Sequence, residues 1–402
     1  MIPQIHLRRG KEESLLRRHP WIFSGAIESV RYDGNEIPEG ALVDVYTRSG
    51  DFIARGHYQI GSIAVRVLTF EQEPIDAAWW QRMISTALDV RRTLGLTDAP
   101  DTTCYRLVHG EGDSLPGLVV DIYDTTAVIQ CHSVGMYHAR LTIADAIRTV
   151  YGDRITAIYD KSSQTVPFKA GLNPVDGYLY GKTGGMPRTV LENGEKFLVN
   201  WEEGQKTGFF IDQRFNRELV RRYARGRTVL NTFCYTGGFS LALMAGGADS
   251  VVSVDSSGEA LALARENTER NGFPQDKCEW VEADVFEYLR KARDRGEKFD
   301  LIILDPPKFA STRYHVERAA RAYKDISLNG LKLLRTGGHL LTFSCSGAVD
   351  ADLFQKIVAG AVFDAGVNAW IVGRLGAGAD HPLLVTYPEG EYLKGLHLLV
   401  RP

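Results

Sequence analysis

Cysteine is scarce in this sequence of 402 residues. The cysteines are odd in number, widely spaced and without a Cys-x-x-Cys pair: Cys104, Cys131, Cys234, Cys278 and Cys345. Such a set predicts neither a disulfide framework nor a zinc site, so we expect no metal. Free cysteines usually behave as small buried apolar side chains, which is the role we expect for Cys104, Cys131 and Cys278.

Long apolar runs are also missing. No run approaches the length that crosses a membrane, and the first residues lack the apolar core of a signal peptide. We therefore expect a cytoplasmic protein without membrane contact. With 44% hydrophobic and 24% charged residues, the composition is that of an ordinary globular chain with two or three domains.

The chain has no strong excess of charge, because its formal net charge is only -3. A polyanion would therefore need a local basic face. One candidate is the N-terminal basic cluster, which has only Glu12 and Glu13 as acidic neighbours and consists of Arg8, Arg9, Lys11, Arg17, Arg18 and His19. Its alternative interpretation is a solvated helix face.

Residues 228–255 are the central candidate for a ligand site in this sequence. They lack both the Gly-x-Gly-x-x-Gly pattern and a phosphate-binding Lys-Ser/Thr pair. Their absence weakens a dinucleotide or ATP site. The stretch has an apolar run, a break at residues 236–238, a short apolar helix and a second run ending in Asp255. This strand–loop–helix–strand pattern places the loop and Asp255 at the carboxyl edge of a parallel sheet.

An acid at that edge can accept both hydroxyls of a ribose. S-adenosylmethionine fits best, because it carries a ribose and no phosphate. The alternative is a glycine turn that only packs the helix on the strand.

Further along the chain, polar residues end successive apolar runs in the same way: Asn231, Asp255, Asp284, Asp305 and Cys345. One such residue is typical of a turn or cap, but a series predicts a ligand site at the edge of an open α/β sheet.

Two other patterns precede this unit. Residues 1–74 contain short, partly alternating runs between glycine turns, which predict a small β-barrel. Residues 75–185 combine two helical patterns, up to Leu94 and from Met136 to Val150, with strand runs between them, and predict an α+β domain. The Asn193-Gly194 pair between two β runs then predicts a hairpin.

The α+β domain contains one polar cluster, Arg106, His109, Glu111 and Asp113. These residues could face a substrate, but a polar turn between strands is the interpretation we favour.

Residues 15–26, Leu-Leu-Arg-Arg-His-Pro-Trp-Ile-Phe-Ser-Gly-Ala, and the strands after them resemble the PUA domain of RNA-modifying enzymes. The resemblance implies that residues 1–74 bind RNA, with Arg17 and Arg18 as contacts. The basic cluster would then meet phosphates.

The sheet-edge residues resemble the class I S-adenosylmethionine-dependent methyltransferases, which implies a Rossmann-like seven-stranded sheet in residues 186–402. In that family Asp255 would bind the ribose and Asp284 the adenine. The loop along the methionine part would comprise Thr232, Phe233, Cys234, Tyr235 and Gly237. Asn231 stands where many relatives carry an acid, which leaves Asp305 or the segment with Lys206, Phe209 and Arg214 to hold the cofactor's amino group.

The whole chain resembles the bacterial 23S ribosomal RNA cytosine-C5 methyltransferase family with an N-terminal PUA domain. The motifs that carry this resemblance are Lys-Thr-Gly-Phe-Phe-Ile-Asp-Gln-Arg at 206–214, Tyr-Thr-Gly-Gly-Phe at 235–239, Leu-Asp-Pro-Pro-Lys-Phe at 304–309, Leu-Thr-Phe-Ser-Cys-Ser-Gly at 341–347 and Asp-His-Pro-Leu-Leu-Val-Thr-Tyr-Pro-Glu-Gly at 380–390. It implies methylation of a cytosine in 23S RNA, in the family at position 1962, either in free RNA or in a pre-ribosomal particle. A homo-oligomer is compatible with the sequence.

For Cys345 the resemblance implies attack on carbon 6 of cytosine, which makes carbon 5 nucleophilic. Asp305 or water would take the carbon-5 proton, and the target RNA would lie along Pro306, Pro307, Lys308 and Phe309. Two rivals stay open. An amine N-methyltransferase would use the same Asp-Pro-Pro sequence without a thiol, and an RNA-binding assembly factor would need no cofactor.

Overall fold

The structure is a computed structural model that describes residues 2–167, 171–310 and 312–401. Contacts divide the chain into two compact units. The first comprises Met1–Val190, Val199–Ile211 and Ala379–Gly390, and the second comprises Leu191–Leu198, Asp212–Gly378 and Glu391–Pro402. The domain ranges 1–74, 75–185 and 186–402 stay a prediction.

The N-terminal sheet of the first unit confirms the strand runs expected there. Its elements are β1 (Gln4–Leu7), α1 (Glu13–Leu16), β2 (Trp21–Phe23), β3 (Ile27–Arg31), β4 (Leu42–Tyr46), β5 (Phe52–Tyr58) and β6 (Ile63–Thr69). Within the described residues the strand order is β2-β6-β5-β4-β1-β3. Ile5, Val43 and Val65 are buried in its core. Gly56 is required by close packing, since a Cβ there would lie 2.2 Å from the carbonyl oxygen of Arg66.

A second sheet follows in the same unit, with a helix before it and another within it. The elements are α2 (Ala77–Thr93), β7 (Cys104–His109), β8 (Leu118–Tyr123), β9 (Thr126–Cys131), α3 (Val134–Tyr151), β10 (Ala157–Asp160) and β11 (Gly177–Tyr180). The side chain of Asp76 caps α2 by accepting from the backbone N–H of Trp79. Apolar faces of α2 and α3 pack on the sheet through Trp79, Ile84 and Ile147.

The predicted hairpin is present as β12 (Arg188–Glu192) and β13 (Glu195–Val199). Asn193 has φ 51° and Gly194 has φ 89°, both left-handed. A two-residue turn with two positive φ values matches the twist of antiparallel strands, which is why Asn-Gly is favoured there.

The second unit is an open α/β sheet with helices on both faces. Its elements are α4 (Arg214–Tyr223), β14 (Thr228–Thr232), α5 (Gly238–Ala245), β15 (Ser250–Asp255), α6 (Gly258–Arg270), β16 (Cys278–Glu282), α7 (Val285–Asp294), β17 (Phe299–Leu304), α8 (Val316–Leu333), β18 (Leu334–Ser344), α9 (Ala351–Ala365), β19 (Ala369–Gly376) and β20 (Lys394–Val400). Among the described residues, seven strands form this sheet in the order β16-β15-β14-β17-β18-β20-β19.

The first five of these strands are mutually parallel, and β20 runs antiparallel between β18 and β19. The Rossmann-like sheet predicted from the sequence is therefore confirmed. Alternate side chains of the central strands serve opposite faces. Leu230 and Ile302 pack with α7, α8 and α9, whereas Val229 and Ile303 pack with α4 and α5.

Strand β18 contains a break in its regular pairing at residues 336–338, where Gly337 has φ +79°. The chain nevertheless pairs with β17 on both sides of that break, at Leu334 and again from His339.

In the described part of the chain, no helix has both the length and the apolar character that a bilayer requires.

Candidate functional site

The carboxyl edge of the second-unit sheet collects four of the five polar residues that the sequence singled out, whereas Asn231 lies inside β14 and its side chain is buried in the core. Asp255 ends β15, Asp305 and Cys345 directly follow β17 and β18, and Asp284 lies two residues beyond β16. Since these strands are parallel neighbours, their ends lie at one edge of the sheet.

The loop between β14 and α5 has a left-handed backbone at alternate residues. Phe233, Tyr235 and Gly237 have φ values of 56°, 48° and 83°. Such conformations cost about 1–3 kcal/mol for residues other than glycine, and they cluster at ligand sites. A Cβ at Gly237 would lie 3.0 Å from the Cβ of Ala264, so a side chain at this position would also be crowded.

Asp255 holds this loop in place. Its carboxylate accepts from the backbone N–H of Tyr235 at 2.8 Å and of Ser257 at 3.0 Å. A carboxylate has about four acceptor positions, so two ribose hydroxyls can still donate to it. The donor and acceptor chemistry of Asp255 therefore fits the ribose of S-adenosylmethionine, and the same side chain orders the loop beside it.

Three neighbouring polar side chains have structural partners. The hydroxyl of Thr232 is buried and donates to the carbonyl oxygen of Ile303 at 2.9 Å. Asp284 is the N-cap of α7, accepting from the N–H of Glu287 at 2.9 Å. Asn231 donates to Ser240 at 2.9 Å inside the core. The cofactor roles of Thr232 and Asp284 stay predictions.

Cys234 is buried, and its backbone N–H donates to the carbonyl oxygen of Val254 at 3.1 Å. This bond anchors the loop to the end of β15. The thiol lies 3.9 Å from the carbonyl oxygen of Tyr235, its own neighbour. Through these contacts Cys234 packs within the loop, and the cofactor contact expected of it stays a prediction.

The segment 206–214 passes from one unit to the other between Ile211 and Asp212. In the first unit, the Lys206 ammonium lies 4.3 Å from the ring centroid of Phe210, and Phe209 is buried. In the second unit, Arg214 opens α4 and lies 3.5 Å from the buried carboxylate of Glu192. The cofactor contacts expected of Lys206, Phe209 and Arg214 stay predictions.

The loop after β17 is tied to the loop that carries Cys345. The Cys345 sulfur lies 3.9 Å from the carbonyl oxygen of Pro306. Next to it, the hydroxyl of Ser346 accepts from the N–H of Ala310 at 3.1 Å and bonds the hydroxyl of Tyr323 at 2.9 Å. These bonds hold Asp305 through Phe309 beside the thiol.

The side chains of that loop differ in exposure. Pro307 and Lys308 are exposed, whereas Pro306 is buried and Phe309 is half-buried. The Phe309 ring packs at 4.8 Å from the ring of Tyr323, measured between centroids. An aromatic ring and an exposed lysine side chain beside a thiol suit the binding of a flat polar molecule.

Burial separates Cys345 from the other cysteines. Cys104, Cys131, Cys234 and Cys278 are buried, while Cys345 is partly exposed. Burial raises the pKa of Cys131 and of Cys278 to about 12. It also raises the pKa of Cys234 well above its ordinary value. Since the thiolate is the nucleophile, Cys345 is the cysteine with the access that nucleophilic chemistry needs.

The polar cluster of the α+β region forms structural ion pairs. Arg106 makes a bidentate pair with Asp121, at 2.8 and 2.9 Å, and Asp113 pairs with buried Arg91. Glu111 accepts from the indole N–H of Trp21 at 2.8 Å. These contacts favour the structural interpretation of this cluster.

The N-terminal basic cluster is not a helix face, because the helix α1 covers only Glu13–Leu16. Arg17 is 74% exposed and lies 4.0 Å from Glu13. Arg18 has φ 63°, and its guanidinium lies 4.7 Å from the ring centroid of Phe70. RNA contacts of Arg17 and Arg18 stay predictions.

The sequence alone did not single out Ser346 or Lys394. Ser346 bridges the two loops, and the Lys394 ammonium donates to the carbonyl oxygens of Ser346 and Val349. The available signals were the hydroxyl beside Cys345 and a lysine that opens a mostly apolar strand. Within residues 2–167, 171–310 and 312–401, no group of His, Cys, Asp or Glu side chains is arranged to hold a metal ion.

Comparison with known proteins agrees with this geometry. The family model of S-adenosylmethionine-dependent methyltransferases matches residues 179–381, and a PUA-like domain matches residues 5–70. A protein of Aeromonas hydrophila subsp. hydrophila named ribosomal RNA large subunit methyltransferase I is 46% identical over 404 residues, covering 100% of both chains. A protein of the same name from Klebsiella pneumoniae (strain 342) is 44% identical over 397 residues, covering 98% of each.

Solved structures agree as well. A SAM-dependent methyltransferase from Streptococcus mutans aligns with a TM-score of 0.85 and 25% identity over 100% of both chains. A methyltransferase structure complexed with SAH aligns with a TM-score of 0.86, again with 25% identity and full coverage. With its cofactor edge, its accessible thiol and these relatives, the chain belongs to the S-adenosylmethionine-dependent methyltransferase family and carries an N-terminal PUA-like domain.

Proposed function

We propose that this enzyme forms 5-methylcytosine in 23S ribosomal RNA, at position 1962 as the family resemblance implies. The observation that carries the proposal is the partly exposed Cys345 held against the Asp305-Pro306-Pro307 loop at the cofactor edge. The two full-length relatives named ribosomal RNA large subunit methyltransferase I support an RNA substrate of the large subunit. The substrate is either free RNA or a pre-ribosomal particle.

The cofactor supplies an electrophilic methyl group when it is bound. Asp255 would accept the ribose hydroxyls, and Asp284 would meet the adenine beyond its capping bond. The loop from Thr232 to Gly237 would line the methionine part, and Asp305, Lys206, Phe209 and Arg214 would contribute to holding it. The left-handed residues of the loop support this assignment, since such strain collects at ligand sites.

Cytosine carbon 5 is a poor nucleophile, and addition of the thiolate to the base makes it more nucleophilic. The Cys345 thiolate adds to carbon 6 to form a sulfur–carbon bond, and the displaced electron pair makes carbon 5 nucleophilic. After carbon 5 has taken up the methyl group, Asp305 or water removes its proton. The electron pair then restores the carbon 5–carbon 6 double bond and expels the thiolate.

The target base must reach an edge of the sheet, so it should be unpaired or flip out of its stack at a cost of a few kcal/mol. Pro306, Pro307, Lys308 and Phe309 would receive it, with the Phe309 ring available for stacking. Arg17 and Arg18 would contact phosphates elsewhere on the RNA. Many enzymes of this chemistry carry a second cysteine directly after the first proline of this loop, where this chain has Pro307. The removal of the carbon-5 proton is therefore left to Asp305 or water.

The test is a covalent trap. In RNA that carries 5-fluorocytosine, carbon 5 has no proton to lose after methyl transfer, so the protein should remain bound to the RNA in denaturing electrophoresis. Cys345→Ser should form no such adduct and should yield no 5-methylcytosine in nucleoside mass spectrometry. Cys278→Ser is the matched control and should do both, because its thiol is buried. Cys234→Ser should do both as well, because its thiol is also buried and the loop is anchored there through the backbone N–H.

Two outcomes would contradict the proposal. An adduct that persists in Cys345→Ser and disappears in Cys234→Ser would move the nucleophile to the cofactor loop. Full methylation by Cys345→Ala would remove covalent catalysis and favour the amine N-methyltransferase, which needs no thiol.

A further inference from the structure

A buried lysine lies next to the strand end that carries Cys345. Lys394 is the first residue of β20 and pairs with Ser344, the last residue of β18. It is only 5% exposed. Because an ammonium group loses its hydration when it is buried, such a lysine is retained only where hydrogen bonds or opposite charge compensate.

The compensating bonds all go to the turn that follows Cys345. The Lys394 Nζ donates to the carbonyl oxygen of Ser346 at 2.9 Å and to that of Val349 at 2.6 Å. The N–H of Val349 also donates to the carbonyl oxygen of Ser346, which closes the turn. Asp350 then caps α9. The lysine therefore fixes the segment between the thiol and the helix α9.

Charged groups around Lys394 connect it to the thiol. Burial lowers the pKa of its ammonium group and Lys308 acts in the same direction, whereas Glu391, Cys345 and Asp350 act to raise this pKa. Electrostatic coupling is reciprocal, so a thiolate that stabilises the ammonium is itself stabilised by it. A nearby fixed cation is a setting in which a cysteine ionises below its ordinary pKa.

We propose that Lys394 is the positioning residue of the methyl-transfer site, which orients the Cys345 turn and favours the thiolate over the thiol. The inference rests on the proposed covalent role of Cys345 and adds to it the group that prepares the nucleophile. The proton that the thiol loses passes to water, and Lys394 keeps its own proton throughout.

The test follows the alkylation of Cys345 by iodoacetamide as a function of pH, with the Cys345 peptide quantified by mass spectrometry and no RNA present. Lys394→Met removes the charge and keeps the aliphatic stem. It should raise the midpoint of the profile by one pH unit or more, which slows alkylation about tenfold below that midpoint. Lys394→Arg keeps the charge and should stay near the wild-type profile. Lys356→Met, an exposed lysine on α9, is the matched control and should change nothing.

A Lys394→Met profile that coincides with the wild-type profile would overturn the inference. If that variant does not fold, Lys394→Gln replaces it, because its amide can still donate to the turn. The wild-type profile decides independently of every variant, since a midpoint at or above the ordinary cysteine value of about 8.5 would exclude a stabilised thiolate.

Methyl transfer supplies a second measurement. Lys394→Met should lower kcat at neutral pH with little change in KM for RNA, and raising the pH should recover part of the loss. Failure of the proposed function is recognised separately, through full methylation by Cys345→Ala. In that event the alkylation profiles still measure what Lys394 does to the thiol.

Discussion

At the scale of single residues, Asp255 illustrates how one side chain serves both fold and ligand. From the sequence it is an acid at a strand end, a position suited to ribose hydroxyls. In the structure it also accepts two backbone N–H groups of the neighbouring loops. An alanine there would orphan both donors, so a loss of cofactor binding in that variant would not separate the two roles.

A pair of ligands separates them. Asp255→Asn should weaken binding of S-adenosylhomocysteine by about 1.5–3 kcal/mol, because charge-assisted bonds are lost. Isothermal calorimetry with S-adenosylhomocysteine and its 2′-deoxyribose analogue gives a double-mutant cycle. The wild type should discriminate between the two, and Asp255→Asn should not. Asp276→Asn, exposed in the short 3-10 helix Gln275–Lys277, is the control. Equal discrimination by Asp255→Asn and the wild type would leave Asp255 with only its loop-ordering role.

At the scale of elements, the structure shows the backbone conformation of the N-terminal basic cluster, which the charge pattern alone did not reveal. Only Glu13–Leu16 is helical, and the arginines that follow lie in the turn before β2. Arg18 is engaged with the Phe70 ring, whereas Arg17 is mostly exposed. An exposed arginine in a turn is available to a phosphate at little structural cost.

The expected consequence is a change in salt dependence. Arg17→Glu should weaken binding of 23S RNA fragments and reduce the slope of log K against log salt by about one unit, because one phosphate contact is lost. Filter binding or fluorescence anisotropy over a salt series measures both quantities. Arg222→Glu, equally exposed at the end of α4, is the control and should leave the slope unchanged. An unaltered slope in Arg17→Glu would return the cluster to the role of a solvated surface.

At the scale of the whole molecule, buried histidines link stability to pH. Burial lowers the pKa of His57 in the first unit, and of His339 and His397 in the second, to about 4 each. His339 and His397 share a 2.8 Å hydrogen bond beside the ring of Tyr223, and Arg227 lowers both pKa values further. Each of these rings is held neutral in the folded chain.

The sign of the effect follows from proton uptake. Between about pH 6.5 and 4 the unfolded chain binds protons at these histidines and the folded chain does not, so the free energy of unfolding falls as the pH falls. Each histidine contributes at most about 3 kcal/mol over that range. Glu195 opposes this trend, because burial raises its pKa to about 7 and the folded chain then takes up its proton first.

Denaturant unfolding at pH 7 and pH 5 should therefore show lower stability at pH 5. His397→Gln should reduce this difference in the free energy of unfolding, because the unfolded variant has one histidine fewer that takes up a proton at pH 5. Glu195→Gln should enlarge it by removing the opposing group. A wild-type free energy of unfolding that is equal at the two pH values would contradict this account.

The sequence by itself determined the elements and their order. Asn193-Gly194 forms the predicted turn, and the predicted strand–loop–helix–strand unit is present as β14, α5 and β15. Local patterns suffice for these features, because apolar periodicity and turn chemistry act over a few residues. They also sufficed for the strand-end set, since parallel strands joined by helices must present their carboxyl ends together. Strand β18 shows the limit of local patterns, because its pairing with β17 continues on both sides of the glycines at 337 and 338.

Only the tertiary structure decided what those residues touch. Asp255 orders a loop twenty residues before it, Thr232 and Asn231 bond inside the core, and Asp284 caps a helix. Lys394 reaches the Cys345 turn from a strand nearly fifty residues further on. No local pattern encodes such contacts, because they form when distant segments become neighbours in a sheet whose register is set by the packing of the whole unit.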